Sequence, residues 1–421
     1  MFAFAPVFLT ALPPLRGLDI RPTLSGPERT LTRGRFRVHW TEQGADAPIL
    51  DDPDGTGRPD VIDVFADALV AGEAAYLAEG WRPLVGDAGG DGSDDIDVYV
   101  RDIGPYGTTT PVASDDGWSC RLDLDSNLSP NGQVAQSVAT HELHHCVQFR
   151  YSVSLATWVF EAAATYEQYT HVVDPALDLA LGWLYTERLG QVDRKLGAAD
   201  GQFEYAAFLW TKFWVERGAD TPERLPRLWE ALGEEAEWQD GLGVAAREAF
   251  DRDLPRTFLE HATWNGFACA ADDGGHYDPD VLPCIPTVTV PITPWDGAPV
   301  TLTHAEGPFT AAYLDLEPAG AERVEVACDG VDGVLFSVVP LDRDGVGQPP
   351  VVGEAGDAVA ADVAGGAVRV VVVGTDLPLD ATCEAREVPA LRAQSLAGCA
   401  TAPAAGFGWL GLVAALARRR R

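Results

Sequence analysis

The spacing of apolar residues divides this chain into stretches of different character. Phe36-Arg37-Val38-His39-Trp40 alternates and predicts a strand, and so does Ile96-Asp97-Val98-Tyr99-Val100, with acidic residues on one side. Between them, residues 61–80 place apolar side chains at helical spacing and close on Gly80, which predicts a helix. From about 132 to 264 the helical period dominates, and helices are predicted over 133–149, 157–170, 203–217 and 243–263. The Pro-Asn-Gly at 130–132 marks the start of the first. Residues 13–34 carry Pro and Arg without a period and read as a linker. After Pro286 the period shortens to two. TVTVPITP, VTLTHA, AAYLDLEP, RVEVAC, VLFSVVPL, AVRVVVVG and ATCEARE are short strand-like runs separated by Gly, Pro or Asp. They predict an all-β sandwich of about 100 residues. The pattern therefore gives a signal and linker region (1–34), an α+β domain (35–285), a β-sandwich (286–390) and a tail (391–421).

Composition adds a compartment and excludes some partners. A chain of 421 residues exceeds one ordinary core, which agrees with several domains. Its formal net charge of −34 repels phosphate backbones and anionic headgroups, so nucleic acid is excluded as a partner, while bound cations are favoured. Of seven cysteines, six fall in neighbourhoods that suggest the pairs Cys120–Cys146, Cys269–Cys284 and Cys328–Cys383; the alternative is six buried thiols. No CxxC spacing occurs, which argues against a cysteine zinc site. Disulfides imply an oxidising compartment. Residues 2–12 form an apolar run of signal-peptide length without a basic residue ahead of it. Near the other end, Cys399 precedes the apolar GFGWLGLVAALA (406–417) and then Arg418 to Arg421. Twelve apolar residues fall short of the roughly 20 that span a bilayer. This tail resembles bacterial sorting tails of the myxobacterial type. The resemblance implies contact with membrane sorting machinery and a place on the cell surface or outside it.

The chemistry centres on His141-Glu142-Leu143-His144-His145, an H-E-x-x-H pattern inside the helix predicted over 133–149. Residues four apart on a helix differ by only about 40°, so His141 and His145 project side by side and both can ligate one zinc ion. Glu142 sits about 100° away, beside the metal, where it can take a proton from water and return it to a leaving amine. The plain alternative is a histidine-bearing helix face without metal. His144 lies off the metal face and reads as structural.

A catalytic zinc needs a third protein ligand. The extended pattern H-E-x-x-H-x-x-G-x-x-H fails, because Gln148 stands in place of Gly and Tyr151 in place of His; Met1 is also the only methionine, which rules out a Met-turn. Glu161 is the leading candidate, sixteen residues after His145 among Trp158, Val159, Phe160 and the small Ala162 to Ala164. The short segment 150–156 would make its helix an antiparallel neighbour of the first. Glu167 and His171 are the fallbacks. For an oxyanion donor, Tyr166 and Tyr205 are the candidates, each equally compatible with core packing.

HELHHCVQ followed by WVFEAAATYEQ resembles a family of secreted, gluzincin-like bacterial zinc metalloproteases, whose pattern is H-E-x-x-H-x-x-Q and then W-x-x-E-G-x-A-x-Y. FRVHWTEQGADAP, the acidic PDG segment and IDVYV extend the likeness over roughly 35–220. The resemblance implies a zincin-like catalytic domain, with a mixed sheet and active-site helices. It implies His141, His145 and Glu161 as zinc ligands, Glu142 as the base, and a protein or peptide as substrate. Zincin architecture further implies that the strand at 96–100 is the edge strand that holds an extended substrate. Two positions depart from the pattern. Ala162 replaces Gly, and Thr165 stands where related enzymes carry an Asp that orients a zinc histidine. The competing reading is a catalytically silent surface-binding or adhesion protein on the same fold. The intact Glu142 argues against it. A monomer is expected.

A second cation, calcium, is a further candidate. Asp52, Asp54, Thr56, Asp60 and Asp63 place oxygens at positions 1, 3, 5, 9 and 12 of an EF-hand-like loop, with Gly57 at position 6. Asp63 replaces the usual Glu and Pro59 is atypical, so a solvated acidic turn is the alternative. The Gly-rich cluster of Asp87, Asp91, Asp94 and Asp95 is a looser candidate.

Overall fold

A computed structural model describes residues 21–387, apart from 88, 90–92, 174, 218–222, 269–272, 278–291, 295–298, 304–306, 318–321, 331–332, 343–346, 364–366 and 376–378. The apolar run at 2–12, Asp91, the Cys269–Cys284 pair and the tail from Cys399 lie outside the described residues. Among the described residues, no helix is long and apolar enough to cross a membrane.

The first sheet is mixed, in the order β1 (Glu28–Arg33), β2 (Phe36–Thr41), β3 (Ile96–Arg101), β5 (Gly117–Asp125), β4 (Gly107–Ser114). β2, β3 and β5 run parallel, and β1 and β4 are antiparallel edges. Two expectations change here. Residues 28–33 are not linker: Gly34, at a φ of 63°, turns the chain so that β1 pairs with β2 along its whole length. Nor is 96–100 an edge strand: β3 is central, and the free edge beside the helices belongs to β4. The sequence hid β4 because GTTTPVAS is polar and contains Pro111, a residue compatible with a sheet edge.

Alternation gives this sheet two unlike faces. Phe36, Val38, Ile96, Val98, Leu122 and Leu124 join one core with the helices. The reverse face is polar yet buried, with His39 bonded to Asp97 (3.0 Å), Arg101 to Asp123 (2.6 Å), and Arg21 paired with both Asp87 and Asp97.

α1 (Asp60–Ala78), α2 (Val134–Phe149) and α3 (Thr157–His171) match the expected helices. Gly72 lets α1 close on α2, since a Cβ there would lie 2.9 Å from Leu143 Cδ2. A Cys120–Cys146 disulfide ties β5 to α2. The stretch 203–217 is two helices, α5 (Phe203–Ala206) and α6 (Phe208–Glu216), broken at Ala207. The stretch 243–263 is also two, α8 (Trp238–Phe250) and α9 (Leu254–Asn265). Asp251 ends α8 in the left-handed region, and the Asp253 side chain caps α9 by accepting from Arg256 N–H. The period alone did not register these breaks. α4 (Pro175–Gly190) and α7 (Arg224–Glu234) are further helices.

Beyond these lie two sheets. One orders β11 (Val351–Glu354), β10 (Val334–Pro340), β13 (Val368–Gly374), β8 (Thr310–Glu317), β6 (Ile292–Pro294); the other orders β12 (Ala358–Asp362), β9 (Arg323–Gly330), β14 (Asp380–Glu387), β7 (Val300–Thr303). Pairing is antiparallel except between β6 and β8. The sheets share a core, and Cys328–Cys383 joins β9 to β14 at one register position. The expected order, α+β then β, holds at this level. β13 is buried on both faces, which explains its unbroken valines. Val370 and Val372 enter the core between the sheets, whereas Val371 and Val373 enter the core shared with the helices. On that second side Tyr313 donates to Ala262 O (2.7 Å), and Arg369 pairs with Asp315 while reaching Gly266 O.

Candidate metal centre

α2 lies between the first sheet and α3, so even its polar side chains are buried. Buried polar groups need partners. For His141 and His145 those partners are two glutamines. His145 Nδ1 lies 2.7 Å from Gln148 Oε1, and Gln148 Nε2 donates to Phe160 O (2.9 Å). That second bond fixes the amide, so its oxygen faces the ring and His145 Nδ1 must carry the hydrogen. His141 Nδ1 lies 3.0 Å from Gln168 Oε1, and Gln168 Nε2 contacts Ser137 Oγ at 2.5 Å. Both imidazoles are thereby left with a lone pair on Nε2.

The two Nε2 atoms converge on Glu161. His141 Nε2 lies 3.1 Å from Glu161 Oε2 and His145 Nε2 lies 3.6 Å from the same oxygen. Glu161 is fully buried, and one donor atom from each of the three residues falls within 4.8 Å of the others. Among the described residues, His145 Nε2 and Glu161 Oε1 have no hydrogen-bond partner despite their burial. Two lone pairs aimed at a carboxylate need a positive charge between them, and a divalent cation with N and O ligands fits that set. The acid–base balance carries the same demand. Burial alone would lower the pKa of His145, but the nearby negative charge of Glu161 outweighs it and pushes it up to about 9. Burial would raise Glu161, yet His145 and His141 hold it down at about 2.

Glu142 stands beside this group. Thr109 on β4 reaches its Oε2 at 2.6 Å and its backbone oxygen at 3.0 Å. Gly107 makes room for it, because a Cβ there would fall 2.6 Å from Glu142 Cγ. Burial raises the pKa of Glu142, while the charges of His145 and His141 and the Thr109 hydrogen bond pull the other way. Tyr205 is buried with its ring 6.0 Å from that of His141. Tyr166 is not brought to the same place. Five residues on from Glu161 it points to another side of α3, and apart from burial it responds to the charges of Glu167, Glu216 and Glu79.

The remaining candidates separate. Thr165 is buried and its hydroxyl has no partner among the described residues, so it does not orient either histidine; Gln148 and Gln168 do. Helical arithmetic points to both glutamines, since Gln148 is three residues after His145 and Gln168 seven after Glu161. Thr109 and Gly107 were hidden with the strand that carries them. His144 is fully buried, packed edge-on against Tyr76 and Trp81, and stays outside the group. Glu167 and His171, the fallback ligands, meet Glu79 instead. In the acidic loop, Asp52, Asp54 and Asp60 come together. Asp63 does not join them: it is held by Arg33 (2.6 Å) and Arg58 (2.8 Å), two guanidiniums that occupy the carboxylate expected at position 12. Thr56 gives its backbone N–H to Asp52 (2.8 Å). Asp87 accepts from Arg21 at 2.7 Å.

The sequence matches no known family model and no curated protein.

Proposed function

We propose that this chain is an exported zinc endopeptidase with a zincin-like catalytic domain. The observation that carries the reading is the pair of unpartnered buried atoms, His145 Nε2 and Glu161 Oε1, with the Glu142 carboxylate beside them. His141, His145 and Glu161 would hold the ion. Zinc, when bound, supplies Lewis acidity that polarises an amide carbonyl and makes water acidic near neutral pH.

The chain's own residues do the rest. Gln148 and Gln168 hold the imidazoles in the tautomer that keeps Nε2 free. They do so as neutral amides, which donate less electron density than a carboxylate partner would. Glu142 accepts a proton from water at a carboxylate oxygen as the water oxygen adds to the carbonyl carbon. It returns that proton to the amide nitrogen as the C–N bond breaks. Burial brings its proton affinity nearer to neutral, which suits a group that both takes and gives. Thr109 keeps the carboxylate in place. Tyr205 is the candidate donor to the carbonyl oxygen as charge develops there. β4 offers an open sheet edge next to Glu142, onto which an extended peptide can add as a strand. Export is supported by the two disulfides, and the C-terminal sequence favours retention at the cell surface or release.

Glu142→Gln tests this. It should keep stoichiometric zinc and lose at least about a hundredfold of the wild-type rate on an unfolded protein substrate. A zinc-loaded wild type that cleaves no unfolded protein would favour the silent binding module. Purified protein without stoichiometric zinc would end the peptidase reading.

A further inference from the structure

α3 carries a second set of convergent ligand atoms, independent of the first. Glu167 and His171 stand one turn apart, the spacing at which two side chains on a helix reach one point. Glu79, which caps the C-terminus of α1, reaches the same point. His171 Nε2 lies 3.0 Å from Glu79 Oε1 and 3.0 Å from Glu167 Oε2, and the three ligand atoms fall within 4.8 Å of one another.

The charges in this group do not close. One imidazole nitrogen has at most one hydrogen and cannot satisfy two carboxylates equally. With both carboxylates ionised the set carries a net negative charge even when His171 is protonated, and burial pushes the Glu167 carboxyl up to about 7 against that ionised form. Among the described residues, neither Glu79 nor Glu167 forms an ion pair with Lys or Arg. Glu167 is only 3% exposed, so water screens its carboxylate poorly. The surroundings add to the imbalance. Glu79 closes α1 and His171 is the last residue of α3, and helix C-termini carry partial negative charge that disfavours carboxylates and favours a cation.

We propose that Glu79, Glu167 and His171 form a second metal site, for a divalent transition metal with zinc preferred. The imidazole ligand argues against calcium and magnesium, which take oxygen. Three protein ligands leave one position of a tetrahedral ion for water, and the partial exposure of the Glu79 and His171 side chains, 25% and 19%, admits it. The site pins the end of α1 to the last turn of the helix that carries Glu161. Its role is structural.

The test counts metal in the full-length protein after dialysis against buffered zinc. Wild type should hold two zinc equivalents, and His171→Ala and His145→Ala one each. Glu79→Gln, at a partly exposed position that folding tolerates better, should also hold one. In the His145→Ala background, added zinc should still raise the melting temperature, and adding Glu79→Gln should abolish that rise. If His171→Ala and Glu79→Gln bind as much zinc as wild type, the proposal fails, whatever His145→Ala does. If only His145→Ala leaves the count unchanged, the peptidase site is at fault and this one stands.

Discussion

α3 contributes to two histidine–carboxylate groups that differ in what stands behind the ligands. In the first, His141 and His145 each have Nδ1 held by a glutamine, and that glutamine is anchored in turn. In the second, His171 meets two glutamates directly and no amide among the described residues fixes its ring. The first group is buried beside a further carboxylate, Glu142, whereas the second is partly exposed at Glu79 and His171 and has no such neighbour among the described residues. Orientation from behind and a spare base in front are what a reactive centre requires; a brace requires only charge balance.

The largest effect that would sharpen this contrast is expected at the glutamines. Gln168→Leu removes the acceptor for His141 Nδ1 while roughly keeping volume, and zinc affinity at the first group should weaken 10–100-fold, read by chelator competition. An unchanged affinity would break the contrast, since the two groups would then be held alike. Thr109→Val comes next. Zinc should stay bound while kcat falls by about tenfold. The hydroxyl's hydrogen bond lowers the pKa of Glu142, so its loss raises that pKa. The base works deprotonated, and the acid limb of the pH–rate profile should therefore move to higher pH. A limb that stays in place would mean that Thr109 does not act on the carboxylate.

The smallest effect concerns a histidine with no carboxylate at all. His261 is buried among Trp210, Phe213 and Phe258, and burial, followed by the charge of Arg188, holds its pKa well below 6.5. It stays neutral in the folded chain, while the unfolded chain takes up the proton below about pH 6.5. Its contribution is intact at neutral pH and declines on acidification. His261→Phe should flatten the loss of stability between pH 7 and 5.5 by about 1 kcal/mol in denaturant titrations. An equal slope in both proteins would show that this ring is not kept neutral.

What the sequence disclosed follows from how local each signal is. The His141-to-His145 pattern is contained in one helical turn, and Glu161 stood out as an acid among apolar and small residues. The glutamines were legible only by helical arithmetic from ligands already placed, because an amide carries no chemical signature of its own. β4 was not read from the sequence, since its Thr-rich stretch lacks apolar alternation even though Asp116-Gly117 marks the turn that follows it, and its importance lies in its distant contact with Glu142. The helix breaks at Ala207 and Asp251 depend on backbone geometry that periodicity does not record. For Asp63, spacing alone could not register the competition from Arg33 and Arg58.

β13 has a practical consequence. The change of composition at Pro286 invites truncation there to isolate a catalytic fragment. Val371 and Val373, however, belong to the same core as the helices, and Phe309 packs against Trp238 and Phe258 with ring centroids 5.6 and 5.3 Å apart. A fragment ending at the compositional border would expose those rings to water as an adhesive apolar patch. Its insolubility would then be a cutting artefact and would say nothing about whether the group of His141, His145 and Glu161 can form.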